Sequence, residues 1–179
     1  MSMYLQEILI FIYCLPFWVV VMGGLVVSFL FMKLCRRYGD QRWFGIGTCL
    51  MLLLWFAVVV WATLLSRSTP VTEPPVWIPL HSYREAFFEG EKELIRSNLM
   101  NIALFYPGGL LAARLFPQAS LRWRRLVLVL VFSGVLSLGI ELCQLYFLLG
   151  KPEIDDVLHN TLGAAAGFAA FHLNLGEQP

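Results

Sequence analysis

Leu126-Val-Leu-Val-Leu-Val-Phe-Ser-Gly-Val-Leu-Ser-Leu-Gly-Ile-Glu141-Leu-Cys-Gln144-Leu-Tyr-Phe-Leu-Leu149 is an apolar run interrupted by a single charge. About 20 mostly apolar residues cross a bilayer as a helix, so this stretch reads as a membrane span. Glu141 is then an acid inside hydrocarbon, which costs roughly 2.5–3.5 kcal/mol on insertion scales. Such groups are rare, and an intramembrane acid beside an amide marks a functional site by default. The next segment repeats the theme: Ile154-Asp155-Asp156-Val-Leu-His159-Asn160-Thr-Leu-Gly163-Ala-Ala-Ala-Gly167-Phe168 carries Asp156 and Asn160 into an otherwise apolar helix.

The whole chain agrees with the membrane reading. Of its 179 residues, 59% are hydrophobic and 14% charged, with a mean hydropathy of +0.71. Soluble domains have about 45–50% apolar and about 25% charged residues. The net charge of +1 and the lack of a large Lys/Arg cluster argue against a nucleic-acid partner. The segment Met1-Ser-Met-Tyr-Leu-Gln-Glu7 has no basic region of a cleavable signal, so the first apolar run is expected to stay in the mature protein. Cysteines 14, 35, 49 and 143 are scattered and mostly in apolar runs, where free Cys behaves as a small hydrophobe. Neither a disulfide framework nor a metal site follows, and no cofactor is expected.

Working outward from the quoted run, five candidate spans emerge, near Ile8–Met32, Trp43–Leu65, Leu99–Leu115, Leu126–Leu149 and Val157–Leu173. The predicted fold is an all-α membrane protein, a bundle of about five transmembrane helices with a short external re-entrant or interfacial segment. Lys33, Arg36, Arg37 and Arg42 fall in the first loop and Arg114, Arg122, Arg124 and Arg125 in the third. Basic loops stay cytoplasmic, which puts the N-terminus outside and the C-terminus inside a bacterial inner membrane. The longer second loop, with Arg67, Arg84, Lys92 and Arg96, weighs against this assignment. Trp43 and Trp123 at one boundary, and Trp61 and Tyr146 at the other, suit aromatic belts. In the external loop, Ser82-Tyr-Arg-Glu85 fits a capping box opening a helix. Phe87, Phe88, Leu94 and Ile95 either meet the lipid interface or belong to a plain tether.

The polar residues converge in depth. Glu141 lies about 12 Å below Leu149 at 1.5 Å per residue. Asn160 is one turn beyond Asp156 on the same helix face, and Gln144 is one turn above Glu141. Asn98 and Asn101 enter the third span from the same side, Arg67 ends the second span there, and Lys151 lies in the last loop. The expected object is an outward-open cavity with Glu141, Asp156, Asn160, Gln144 and Asn101 on its walls and Arg67 or Lys151 facing an anionic head group. Gly163 and Gly167 share a face in a small-xxx-small pattern that lets helices pack closely. Pro107-Gly108-Gly109 is expected to break or kink the third span. Plainer readings stand beside these. Glu141 and Gln144 serve as a structural interhelical network, Asp156 as an acid favoured by a helix N-terminus, and His159, about 100° from Asn160 around the helix, as a bystander.

In this order, these residues resemble the VanZ family of bacterial membrane proteins. Asn101-Ile-Ala-Leu-Phe-Tyr-Pro107-Gly108, Glu141-Leu-Cys-Gln144 and Asp156-Val-Leu-His-Asn160-Thr-Leu-Gly163 with Gly167 are similar to its asparagine-to-Pro-Gly segment, its Glu-x-x-Gln and its Asp-x-x-x-Asn-x-x-Gly. Trp77-Ile78-Pro79-Leu80 resembles a short proline-containing stretch before the third span. Many members have Arg and Asp where Lys151 and Glu153 stand, and that exchange is not neutral at a bidentate site. The resemblance implies residues 1–65 as an N-terminal two-helix hairpin and 66–179 as a VanZ-like core, within one membrane domain. The family is named for low-level resistance to teicoplanin, a lipoglycopeptide. It therefore implies handling of a membrane lipid, a lipid-linked glycan or such an antibiotic at the outer leaflet. Two rivals remain open: a carboxylate- or metal-dependent enzyme on a lipid-linked substrate, and a structural or assembly role. A homo-oligomer also stays open.

Overall fold

The computed structural model describes residues 22–24, 26–66, 73–115 and 122–175. All the elements they form are helical. Helix α1 covers 26–38. Helix α2, Arg42–Val60, runs on into a π-turn at Trp61–Leu65. A short α3, His81–Arg84, leads into a second π-turn, Glu85–Glu89. Three long helices complete the bundle: α4 (Lys92–Leu115), α5 (Arg122–Phe147) and α6 (Ile154–Leu175).

Two of the expected spans are met by length and apolarity, at Arg42–Leu65 and Trp123–Phe147. Most of the span expected at Ile8–Met32 lies outside the described residues. The third and fifth correspond to α4 and α6, which are long enough but less apolar. Trp43 and Trp61 are exposed near the two ends of α2, as are Trp123 and Tyr146 on α5. At 1.5 Å per residue the α2 pair stands about 27 Å apart along the axis, close to the thickness of a hydrocarbon core.

Helices α4 and α6 form the tightest pair. A Cβ built on Gly163 would fall 2.2 Å from the Ile102 carbonyl oxygen, and one on Gly167 would fall 2.0 Å from that of Tyr106. A Cβ on Gly109 would fall 1.9 Å from the carbonyl oxygen of Ala164. Both α6 glycines meet α4 at the same offset, so the two helices run parallel. Carbonyls this close to a glycine Cα make weak Cα–H···O contacts, which supplement packing at such crossings. Phe105, Leu110, Ala113, Ala164, Phe168 and Phe171 close the seam from both sides.

Helix α4 continues through Pro107, where a break or kink was expected. Proline removes one backbone donor, yet the neighbouring Leu104 carbonyl accepts a 2.8 Å hydrogen bond from the Trp55 indole of α2. The Trp55 ring lies against Gly108, where a Cβ would fall 2.4 Å from it. The carbonyl that Pro107 leaves without its donor is that of Ala103, so the Trp55 bond adds a cross-helix tie one residue past it.

The capping box expected at Ser82 does not form. The residue capping α3 is Leu80, in the left-handed region at φ 62°, and Ser82 lies inside the helix. The carboxylate of Asp155 on α6 takes the capping role from across the molecule. The end of α5 also turns on a left-handed leucine, Leu148 at φ 55°, with Leu149 N donating to Gln144 O at 2.9 Å. That pairing has the pattern of a Schellman motif, in a position that glycine usually fills.

Candidate functional site

Helix α5 carries a polar stripe at spacings of four, four and three: Ser133, Ser137, Glu141 and Gln144, all buried. Ser133 is satisfied within its own helix, its hydroxyl donating to Val129 O at 2.7 Å. The other three face neighbouring elements. Asn160 Nδ2 on α6 donates to Ser137 Oγ at 2.8 Å. Glu141 Oε2 accepts Glu153 N at 3.0 Å, just before α6 begins. Gln144 Nε2 donates to Thr63 O at 3.1 Å, inside the π-turn that ends α2. A π-turn leaves carbonyls out of the usual i→i−4 ladder, and Gln144 takes one of them.

Glu141 and Asn160 therefore meet in one α5–α6 seam, with Ser137 one turn from Glu141 on the same face. Glu141, Gln144 and Asn160 are exposed by only 1%, 2% and 3%, so the protein closes over them. Among the described residues some of their polar atoms have no hydrogen-bond partner: Asn160 Oδ1, Gln144 Oε1 and, on α4, Asn101 Nδ2. An unsatisfied buried polar atom costs about 1–3 kcal/mol, which is why a small polar guest or water is favoured beside it. Asp156 is half-buried, and its backbone N–H donates to Glu153 O at 3.1 Å as α6 starts.

A second polar cluster, which spacing did not reveal, ties the segment around α3 to the start of α6. Asp155, 1% exposed, accepts three hydrogen bonds. Leu80 N donates to Oδ1 at 2.5 Å, while Ser82 N and Ser82 Oγ donate to Oδ2 at 2.8 and 2.6 Å. Asn98 Nδ2 of α4 donates to Ser82 Oγ at 2.9 Å. His159 Nδ1 stands 2.5 Å from the Asp155 carbonyl oxygen, which only accepts, so this nitrogen carries the proton. In the neutral ring Nε2 then accepts from the Tyr83 hydroxyl at 2.8 Å. His159 does point away from Asn160, but towards the α3 segment, where it holds a partner. Below this, Val76 N donates to Pro152 O at 2.9 Å and Ile154 N to Val76 O at 3.0 Å. Segment 76–83 is thus a strap fastened along the α5–α6 loop and the first turns of α6. Phe87 and Phe88, just beyond it, are exposed, which fits either an interfacial segment or a plain tether.

Lys151 pairs with Glu153 at 3.2 Å. Burial alone would lower its pKa, but the hydrogen bond it donates to Glu153 and the charges of Glu153, Glu85 and Glu73 outweigh it and raise the lysine above 10.5. Its surroundings are acidic, so an incoming anion competes with carboxylates already there. Arg67 lies outside the described residues. Among the described residues no group of three or more His, Cys, Asp or Glu gathers at metal-binding range. Apolar cavities lie elsewhere in the bundle, one of them about 360 Å³ between α2, α4, α5 and α6.

Residues that spacing missed include Asp155, Ser82, Tyr83, Thr63 and Ser137. Ser137 had a readable signal, one turn before Glu141. The partners of Asp155 stand more than 70 positions away in the chain, beyond any local pattern.

Residues 43–175 match the VanZ/LLP1 family model. No curated protein and no solved structure matches the chain.

Proposed function

The chain belongs to the VanZ-like family, and from that premise we propose that it binds an amphiphilic ligand at the outer leaflet of a bacterial inner membrane. The ligand is a lipid-linked glycan or a lipoglycopeptide such as teicoplanin. Glu141, Asn160 and Gln144 take its polar groups, and Asp156 and Asn101 flank them. Arg67 or Lys151 faces an anionic head. The N-terminus lies outside and the C-terminus inside, so the strap faces the cell envelope.

One observation supports this reading above others: two amides, each at least 97% enclosed, keep an acceptor oxygen with no partner among the described residues, on the two helices that also enclose the Glu141 carboxylate. A bilayer supplies no donors to satisfy them, whereas a hydroxyl-rich or amide-rich ligand does.

Glu141→Gln and Asn160→Ala provide the test. Expressed in a susceptible host, both variants should accumulate in the membrane like the parent protein yet lose any protection against teicoplanin. Loss of the protein itself from the membrane would point to a structural role. That reading has its own support, since Glu141 already holds the Glu153 backbone in place.

A further inference from the structure

The strap lies below the end of α5. Glu141 is six residues before Phe147, the last residue of the apolar run of α5, and so about 9 Å inside that end. Helical side chains lean towards the N-terminus, so its carboxylate is not carried up towards that end. Glu153 N meets the carboxylate, and Val76 pairs with Pro152 and Ile154 on either side of Glu153. Val76 is therefore level with Glu141. Helix α4 gives the same depth by a separate route. Asn98, six residues after Lys92, holds Ser82 about 9 Å below the first residue of α4. The 25-residue span of α5 measures about 37 Å, roughly 7 Å more than a hydrocarbon core. Even with that whole excess at the strap's end, Val76 stands at or within the hydrocarbon boundary.

At this level Trp77, Ile78, Pro79 and Leu80 form a run of four apolar residues, all exposed. The polar ties of the strap fix its other side against α4 and α6. Ionic groups beside the run are paired and partly withdrawn, Lys151 with Glu153 at 3.2 Å and His81 with Glu85 at 3.4 Å. Arg84 is exposed, and its long stem lets the charge reach the head groups. Lipid at this depth is continuous with the lipid around Leu142, Leu145 and Tyr146 on the exposed side of α5. Interfacial segments bury an apolar side about 5–10 Å into the boundary of head groups and acyl chains, which is where the two ties put this one. We propose that Trp77–Leu80 is a lipid anchor, its side chains seated among the acyl chains of the leaflet that holds the C-terminal end of α5. Phe87 and Phe88, where the chain climbs back towards the start of α4, lie at the head groups. The anchor depends neither on the ligand of the polar seam nor on which leaflet faces out.

The test uses the full chain in liposomes of phosphatidylethanolamine and phosphatidylglycerol, with the native cysteines replaced by serine and one nitroxide label per variant. Oxygen concentrates in the bilayer and a nickel chelate in water, so the collision rates of a label with each report its depth. Leu53→Cys, on the outward face of α2, supplies the lipid reference, and Asp40→Cys, exposed between α1 and α2, the aqueous one. Labels at Ile78→Cys and Leu80→Cys should meet oxygen in excess of the chelate, as at Leu53, and the label at Phe88→Cys should fall between Ile78 and Asp40. Thermal melting by circular dichroism shows which labelled chains fold, and Trp77→Cys replaces a site whose label disturbs the fold. The proposal is overturned if the anchor labels of folded protein meet the chelate as freely as Asp40 does, which makes the segment a tether in water. It is equally overturned if they are shielded from both reagents, which puts a second copy or another protein on that face. Either result leaves the outcome for Glu141→Gln and Asn160→Ala untouched, so the two readings fail separately.

Discussion

Helices α2 and α5 turn most of their apolar side chains outward, whereas α4 and α6 press backbone against backbone. Only 11% and 28% of the most apolar windows of α2 and α5 are buried. Their stability in place depends on surrounding hydrocarbon rather than on neighbours. Helices α4 and α6 carry Asn98, Asn101, Asp155, Asp156 and Asn160, which lipid would penalise, and they meet through Gly109, Gly163 and Gly167. The contrast separates two ways to stabilise a helix in a bilayer. An outer helix needs an unbroken apolar face towards the lipid, and α5 keeps its polar stripe on the other face. An inner one is free to carry polar side chains when close packing and hydrogen bonds from other helices replace what lipid does not offer.

Four substitutions probe the difference. The largest effect is expected from Gly167→Leu, because even a Cβ there meets Tyr106 backbone, which does not yield as a flexible side chain would. Overpacking commonly costs about 1–3 kcal/mol, and a backbone obstacle should bring the loss to the top of that range or beyond. Thermal unfolding in detergent should show the loss, and melting at the parent temperature would break the claim that the seam is central. Asp155→Ala comes next. It strands Leu80 N, Ser82 N and Ser82 Oγ and should cost about 3 kcal/mol. The loss should fall on the strap first, seen as faster amide exchange over 76–83, and unchanged exchange there would refute the fastening role. Lys151→Met should cost less than about 1 kcal/mol, as partly exposed ion pairs do. The sign follows from the raised lysine pKa. Its contribution is complete below pH 10.5 and fades as pH climbs through the higher folded-state value, so parent and variant should converge in melting temperature at strongly alkaline pH. Leu53→Ala, on the outward face of α2, should change stability by no more than about 0.5 kcal/mol. A large loss there would mean that α2 has a protein partner on that face.

How much of this was readable in the chain follows the same division. The α2 and α5 spans are plain because a long, mostly apolar run is a local property. The Gly163–Gly167 stripe was readable because helical spacing puts both on one face. Asp155 was passed over in favour of Asp156, which stands one turn from Asn160. Adjacent acids point in different directions, and only the position of the strap shows which one is enclosed. His159 was taken as a bystander for the same reason: its direction was right, but the Tyr83 hydroxyl waiting there belongs to a distant segment. No residue pattern announces the π-turn at Trp61–Leu65, whose Thr63 carbonyl holds Gln144. Of the break or kink that Pro107 suggests, the break does not occur: α4 is continuous there, with Trp55 bonded beside it.

The parallel pairing of α4 with α6 also bears on how the chain is made. Helix α6 is the last described helix to leave the ribosome, and α5 must be completed between the two. Throughout that interval the carbonyl-lined groove at Ile102 and Tyr106 has no glycine surface to receive it, and Asn98 waits for a strap that nothing yet fastens. Trp55, synthesised earlier, is a cross-helix hydrogen-bond donor already on hand for the nascent α4.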